Sequence, residues 1–525
     1  MMTRKHKNPT IVQLLLMVVF LVVVTAGFSY AAFFPLEIIN IKPAGTGSPA
    51  IPATNRIFRA YPGIEYNIRA AVIGGLYPFT YSLKNAPTGM TINPATGEIS
   101  WPNPQSSTGP ITLTVTDSEN TTVSTTWSID VTTNGFLFVD VNSQSTIENG
   151  SIESPYKSIK SLVLYTDQTN LNDIVYFRNG NYSFFEYQGD IQSVPEMNLR
   201  KTPTTWIGFP GENIAINGND VRARTTNAIF LDNLTFKNFG DNAFVVQGGV
   251  DYQTIRRCVF SDLVAVRTEN ENQGFLYFNS GGPGNYLVIQ DNEFSYFTGA
   301  SAIGSMYDTY HALIEDNYIH DPGGTGVTGI NNGIGAKSRT DYLTVRKNKI
   351  IMPIGTIFGH AMNAIMFNAD YIDISFNLFS AAENKMAHTF SPRTDGPTKN
   401  ISYYRNTLIG YIRFQNIDGN NCDPGNKYIV KNNVIINDNN FNDWATKTID
   451  FISYYTPTAK NNPQNCIDDI DNIKATMSDN IIDNNGEFSP GYSNYKGTYG
   501  YQLGTYSNTR PASPTGLRIL ISSSN

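Results

Sequence analysis

Lysine and arginine total 37 and histidine only 5 in 525 residues, so the few that fall on short alternating segments of the second half stand out. Lys337, His388, Arg393 and Arg413 are the group best suited to one chemistry, removal of a proton from the carbon beside a carboxylate. A Lys or His whose pKa is lowered by its neighbours can act as the base. An arginine, or Ca2+, can take up the enolate-like charge that develops. Lys337 or His388 is the expected base, and Arg413 or Arg393 the expected neutraliser. Splitting a glycosidic bond with water would instead need two carboxyls about 5 Å or 6.5–9.5 Å apart. Asp308, Glu383, Asp395 and Asp450 are available, but no two fall into an evident pair. Loop aspartates are compatible with Ca2+, although neither EF-hand nor nonapeptide spacing occurs.

The elements that must position these residues are read from composition and rhythm. Charged residues make up 15%, and the net charge is −7, which argues against a nucleic-acid binder relying on phosphate neutralisation. Hydrophobic residues at 40% and aromatics at 12% argue against disorder. A cationic start, Thr3 to Lys7, precedes an apolar run from Ile11 to Phe28 and the small residues Ala31 and Ala32. This pattern predicts a secretory signal over 1–31, with an uncleaved anchor as the alternative. The chain is therefore expected to be secreted, periplasmic or at the cell surface, with a linker over 32–52.

Two rhythms follow. From 53 to 133 short alternating strands are separated by Gly, Pro and Asn turns, which predicts a small antiparallel sandwich. Pro87-Thr88-Gly89-Met90-Thr91-Ile92-Asn93 through Thr96-Gly97-Glu98-Ile99, and Thr114-Val115-Thr116-Asp117, resemble the signature of immunoglobulin-like, cadherin-like modules of bacterial surface proteins. From 134 to 500 an apolar-x-apolar strand ending in a turn Asn recurs, at Asn233, Asn292, Asn317, Asn348, Asn377, Asn406, Asn433 and Asn480, with Cys258 standing in for one Asn. Intervals of 25 to 47 residues exclude a fixed-length array. They suit coiled parallel strands whose loops on one side grow freely, with stacked Asn side chains satisfying one another at each turn. The fold class expected is all-β, a right-handed parallel β-helix with an N-terminal Ig-like β-sandwich, followed by a tail over 501–525. The register places Cys422 and Cys466 in stacked loops, within disulfide reach.

The opening from Phe136, with Ser154-Pro155-Tyr156-Lys157-Ser158-Ile159 and Asp173-Ile174-Val175-Tyr176, resembles secreted parallel β-helices of the pectate-lyase-like kind, in which a short helix (here about 156–166) caps the first coil. That resemblance implies a polysaccharide substrate lying along the strands that precede the Asn-bearing ones. Aligning those strands places Tyr277, Met306, Lys337, Phe367, His388, Arg413 and Asp450 outward. Lys337 and Arg413 would then be roughly 14 Å apart at about 4.8 Å per coil. Tyr277, Tyr307, Arg339, His360 and Phe367 are expected to bind substrate, with Arg393 and Asp395 leaning over the strip. Ala336-Lys337-Ser338 followed by Asn348 is similar to one coil of the alginate lyase and chondroitinase B family, but Ala364 to Ala369 lacks the Arg of that family's next coil. His320-Asp321-Pro322 reads as an ordinary turn. The function expected is a polysaccharide lyase acting on an acidic glycan by β-elimination. The alternatives are a glycoside hydrolase on the same scaffold and a non-catalytic glycan-binding or adhesive surface protein.

Overall fold

A computed structural model of the chain describes residues 34–165, 170–188, 195–240, 242–264, 274–278, 282–298, 301–321, 331–337, 339–351, 359–366, 369–380, 386–392, 399–409, 411–415, 428–437, 447–449, 452–455 and 467–476. The expected signal over 1–31 and tail over 501–525, together with Phe367, Arg393, Asp395, Cys422 and Cys466, lie outside these residues. Among the described residues no helix is long and apolar enough to cross a membrane.

The N-terminal module is built from two small antiparallel sheets. One orders Tyr66–Arg69, Glu98–Trp101 and Thr91–Ile92, and the other Thr80–Lys84, Ile111–Thr116 and Thr122–Trp127. In Ile111–Thr116 buried Ile, Leu and Val alternate with half-exposed threonines, the pattern of a sheet with one wet face. Gly97 of the signature turns with φ 74°, and a Cβ there would lie 2.7 Å from the Tyr81 ring, so the turn requires glycine. The expected linker is built in instead: Glu37–Ile38 pairs with Val72–Ile73, and Ile38, Ile39, Ile41 and Ile51 are buried.

From Phe136 the chain winds into a right-handed parallel β-helix. Each full coil contributes three strands, as in Phe230–Asp232, Thr235–Phe239 and Asn242–Val246. The first and second strands of successive coils pair in one long sheet, and the third strands in an 11-stranded sheet. These three stacks enclose the core. Phe236, Phe260 and Phe294 repeat inside it with centroids 5.0 Å apart, close to the coil spacing. The expected cap helix forms over Ile159–Tyr165 and buries Ile159, Leu162 and Val163 against the first coil.

The turn from first to second strand carries the Asn ladder. The backbone N and Nδ2 of Asn292 both donate to Asn317 Oδ1, at 3.1 and 2.9 Å, and the same pair of bonds repeats through Asn348, Asn377 and Asn406 to Asn433. Cys258 does occupy the ladder position, its N–H donating to Asn292 Oδ1 at 2.9 Å. Two details differ from the expected register. Asn233 takes the left-handed turn position that Arg257 and Asp291 fill in later coils, so Leu234 holds the ladder position there. Asn433 pairs with Asn472, not Asn480, which lies outside the described residues. An Asn tolerates either role, ladder or left-handed turn, so identity alone did not fix the frame.

The module packs on the outer face of the first stack. Arg69 bridges to Asp291 at 2.7 Å and also pairs with Glu315 and Asp316, while Arg346 donates to Glu315 at 2.9 Å and to the Val72 carbonyl at 3.0 Å. Tyr77 and Phe79 lie over the Arg346 guanidinium. The side of the β-helix formed by these strands is therefore closed to a polymer.

Candidate functional site

The third sheet remains as the surface expected to carry substrate. Its strands include Gly274–Phe278, Ser301–Met306, Asn331–Lys337, Gly359–Met366, Met386–Pro392, Tyr411–Gln415 and Ile452–Tyr455. Pairing defines which positions share a face. Leu276, Ile303, Ile334 and Met362 align as a fully buried column. Gly335, Asn363, Thr389, Arg413 and Ser453 align one residue further along and so belong to the opposite face.

In this register Lys337 and Arg413 take same-face positions three coils apart. Lys337 lies two residues beyond Gly335, on the same side of the pleat as Arg413, and aligns with Ile365 and Ser391. His388 does not join them: it aligns with Met362 and Ile412, in the column of core positions. Met306 likewise aligns with Phe278 and Ala336 and is fully buried. The physical reason is a pair of irregular pairings, one beside Met306 and one between Met386 and His388, each shifting the alternation by a residue. Asp450 falls outside the described residues between two strands that pair antiparallel, and Ser453 takes the place level with Arg413. His360 lies in the strand Gly359–Met366 and aligns with Asn332. That column continues through Ser301 to Gly274, where a Cβ would meet the Ser301 carbonyl at 2.4 Å.

The rim where the third sheet turns into the first stack is better defined in its side chains. Tyr277 and Tyr307 are half-buried there. Arg339 is exposed and held by Asp308, with Nη2 to Oδ2 at 2.7 Å and a second contact from Nε. Asp308 and Arg339 both have left-handed backbones, at equivalent turns of successive coils. Arg339 is thus a cation fixed at the rim, though Asp308 competes with any ligand carboxylate for its fork.

Two residues past Arg339 lies a group the sequence reading missed. Asp341 accepts the Asp370 N–H at 2.7 Å, and Asp370 accepts the Asn400 amide at 2.7 Å and the Tyr371 N–H at 2.9 Å. Burial pushes the Asp341 carboxyl up to about 6, the hydrogen bond from Asp370 opposing this and the Asp370 charge adding to it. The next residues, Tyr252, Tyr286, His311, Tyr342 and Tyr371, all have left-handed backbones, and their rings stack 4.7 to 5.2 Å apart. The signal was an Asp-Tyr or Asn-Tyr pair six or seven residues before the ladder, at 251–252, 285–286, 341–342 and 370–371. It was hidden because the ladder Asn alone set the alignment.

His320, read as part of an ordinary turn, is buried on the second stack. Its ring nitrogens lie 2.8 Å from Asp321 and 3.1 Å from Glu293 and its ring stacks on Tyr318. Burial works against its charge, but the two carboxylates outweigh it and the pKa is raised. It belongs to a different stack from Lys337 and Arg413.

Comparison with known proteins identifies one region. Residues 50–132 match the family model "Putative Ig domain". No curated protein sequence matches the chain. Among solved structures, a rhamnogalacturonan lyase is similar at 11% identity and TM-score 0.28, over 66% of this chain and 90% of that one. A variant of an alginate lyase of polysaccharide lyase family 6 gives 11% and 0.21, over 66% and 55%. A putative alpha-galactosidase/melibiase from Bacteroides fragilis gives 15% and 0.16, over 28% of each chain. The chain spans 28% of the length of that protein and 37% of that of a second putative alpha-galactosidase from the same organism. The N-terminal module is thus similar to the Ig-like family, over those 83 residues.

Proposed function

We propose that the protein is a carbohydrate-active β-helix that holds an acidic polysaccharide along its third sheet and cleaves it by β-elimination. One observation carries this reading: Lys337 and Arg413 occupy same-face positions of the third sheet, while the module closes the first stack. An extended polymer running along the axis crosses one strand about every 4.8 Å, so sugars about three coils apart would meet Lys337 and Arg413. Arg413 holds the carboxylate of a sugar further along the polymer, and Arg393 or Ca2+ takes up the charge on the uronate at Lys337. Lys337, acting as the neutral amine, removes the C5 proton of that uronate, the C4–O glycosidic bond breaks as the C4–C5 double bond forms, and the leaving oxygen takes up a proton from the resulting ammonium or from water. His388, aligned with the core column, is the weaker candidate for that base.

The test is incubation of the full chain with uronate polymers while following ultraviolet absorbance of the unsaturated product. Absorbance that grows, and falls by about 10²–10⁴ in Lys337→Ala with unchanged unfolding, supports the lyase. New reducing ends without absorbance favour a hydrolase. That second reading has its own observation, the Asp341 carboxyl near 6 beside Asp370 on the next coil. Binding without product would leave an adhesive role and sink both.

A further inference from the structure

The outward face of the third sheet carries a second group of arginines nearer its start. Arg224 aligns with Asn198 on one side and with Val245 and then Tyr277 on the other, while Ala223, Phe244 and Leu276 form the buried column beside them. Gly335 and Arg413 continue the outward column further along the sheet. Arg200 and Gln247 lie two residues beyond Asn198 and Val245, as Lys337 lies two beyond Gly335. From the strand of Arg224 the sheet steps through Asn242–Val246, Gly274–Phe278 and Ser301–Met306 to Asn331–Lys337. Arg224 is therefore four coils before Lys337, roughly 19 Å at about 4.8 Å per coil.

The side chains of this group converge. Glu196 is buried, and its Oε2 accepts from Arg222 Nε at 3.0 Å. Arg224 Nε lies 2.6 Å from the same oxygen but out of line for a hydrogen bond. Beyond Glu196, Arg224 reaches Gln247, its Nη1 donating to Oε1 at 3.4 Å. Arg200 Nη2 donates to that same oxygen at 3.1 Å. Arg200 is exposed and has no carboxylate partner among the described residues. Two guanidinia thus meet on one neutral amide oxygen. Burial lowers the Arg224 pKa; Glu196 opposes this, and the charges of Arg222 and Arg200 add to it. An amide oxygen does little to offset that repulsion. A carboxylate does more, because both donors already reach one point and its two oxygens can accept a charge-assisted bond from each. The Gln247 side chain, half-buried beside them, can turn its NH2 group to the same anion.

We propose that Arg200 and Arg224 form a distal subsite for a uronate carboxylate of the polymer, about four sugars from the one at Lys337 if each sugar spans one coil. The inference rests on the acidic-glycan reading above and adds a grip on the chain remote from the point of cleavage. Equilibrium binding of polygalacturonate and of alginate is measured on the full chain carrying Lys337→Ala, so that the polymer is not consumed. Adding Arg224→Gln should weaken binding of the preferred polymer about tenfold, and adding Arg200→Gln about threefold. Adding Lys84→Gln, at an exposed position of the module, should leave binding as it was. If Arg224→Gln does not fold, the exposed Arg200 decides through its own variant. Unchanged binding in both arginine variants, an equal loss in Lys84→Gln, or equal binding of a neutral glucan overturns the subsite, while unsaturated product from the unmodified chain would still support the lyase. Binding that weakens in both variants, with no product from the unmodified chain, keeps the subsite and sinks the lyase. Failure of both polymers to bind overturns the subsite.

Discussion

Burial sets the behaviour of single residues throughout the coil. The Asp373 carboxyl on the first stack is pushed up to about 7 by burial, with Arg346, Ser375 and Tyr404 pulling the other way. Its unfolded value is about 3.9, so between roughly pH 4 and 7 the folded chain holds a proton that the unfolded chain has lost. Stability is then fully present below about pH 4 and declines as pH rises toward 7. Asp373→Asn should unfold at higher urea than the unmodified chain at pH 8, and at similar urea near pH 4. Equal midpoints at both would refute the assignment. Cys258 is buried and pushed up to about 12, so Cys258→Ser should remove no fast-reacting thiol from the folded chain and one reactive thiol from the unfolded one. Its place in the ladder was legible from sequence because it follows the same apolar strand as the Asn residues. The Asp341 and Asp370 pair was not, because carboxylates that cap turn amides look like any loop aspartates until their coils are superposed.

At the scale of elements, the ladder and the module interface are separate supports. Asn348→Ala removes the acceptor for both Asn317 donors inside a buried turn, which should cost about 2–4 kcal/mol by denaturant unfolding. A loss within ~0.5 kcal/mol would mean water replaces the amide. Arg69→Met removes one cation from Asp291, Glu315 and Asp316 but leaves Glu315 with Arg346 and Asp316 with Lys347, so the loss by denaturant unfolding should stay below the roughly 3–5 kcal/mol of fully breaking a buried pair. The variant should also be cut faster by protease between the module and Phe136; an unchanged cleavage rate would show that apolar packing alone keeps the module in place. The strands of both regions were readable, since alternation and turn residues are local. Their docking was not. The ion pairs join residues more than 200 positions apart, and no spacing rule reports on such contacts.

For the molecule as a whole, the −7 charge opposes an acidic polymer at long range. Raising salt from about 0.01 to 0.15 M shortens the screening length from about 30 to 8 Å. Cleavage of an acidic glycan at low substrate should therefore speed up over that range before local contacts with Lys337 and Arg413 weaken. A steady fall from the lowest salt would show that the local cations dominate. The fold was legible at this scale because the same strand-and-Asn unit recurs from Asn292 through Asn433. Which outward residues share a column was less so: a single irregular pairing, as beside His388, moves a side chain to the other face without changing the sequence pattern.

The docked module also acts as a ruler. It touches the coil from Tyr61 on Phe136 to Tyr77 on Phe376, through contacts spread along its length. A coil deleted or inserted within that span would displace every later partner by about 4.8 Å, and the rigid module could follow only some of them. Past Phe376 the described contacts are between coils alone, so extra coils there meet no such constraint. Variation in coil number, natural or engineered, is expected to accumulate after Asn377. Chains engineered with one coil removed on either side of that point would separate the two regimes by their solubility and unfolding.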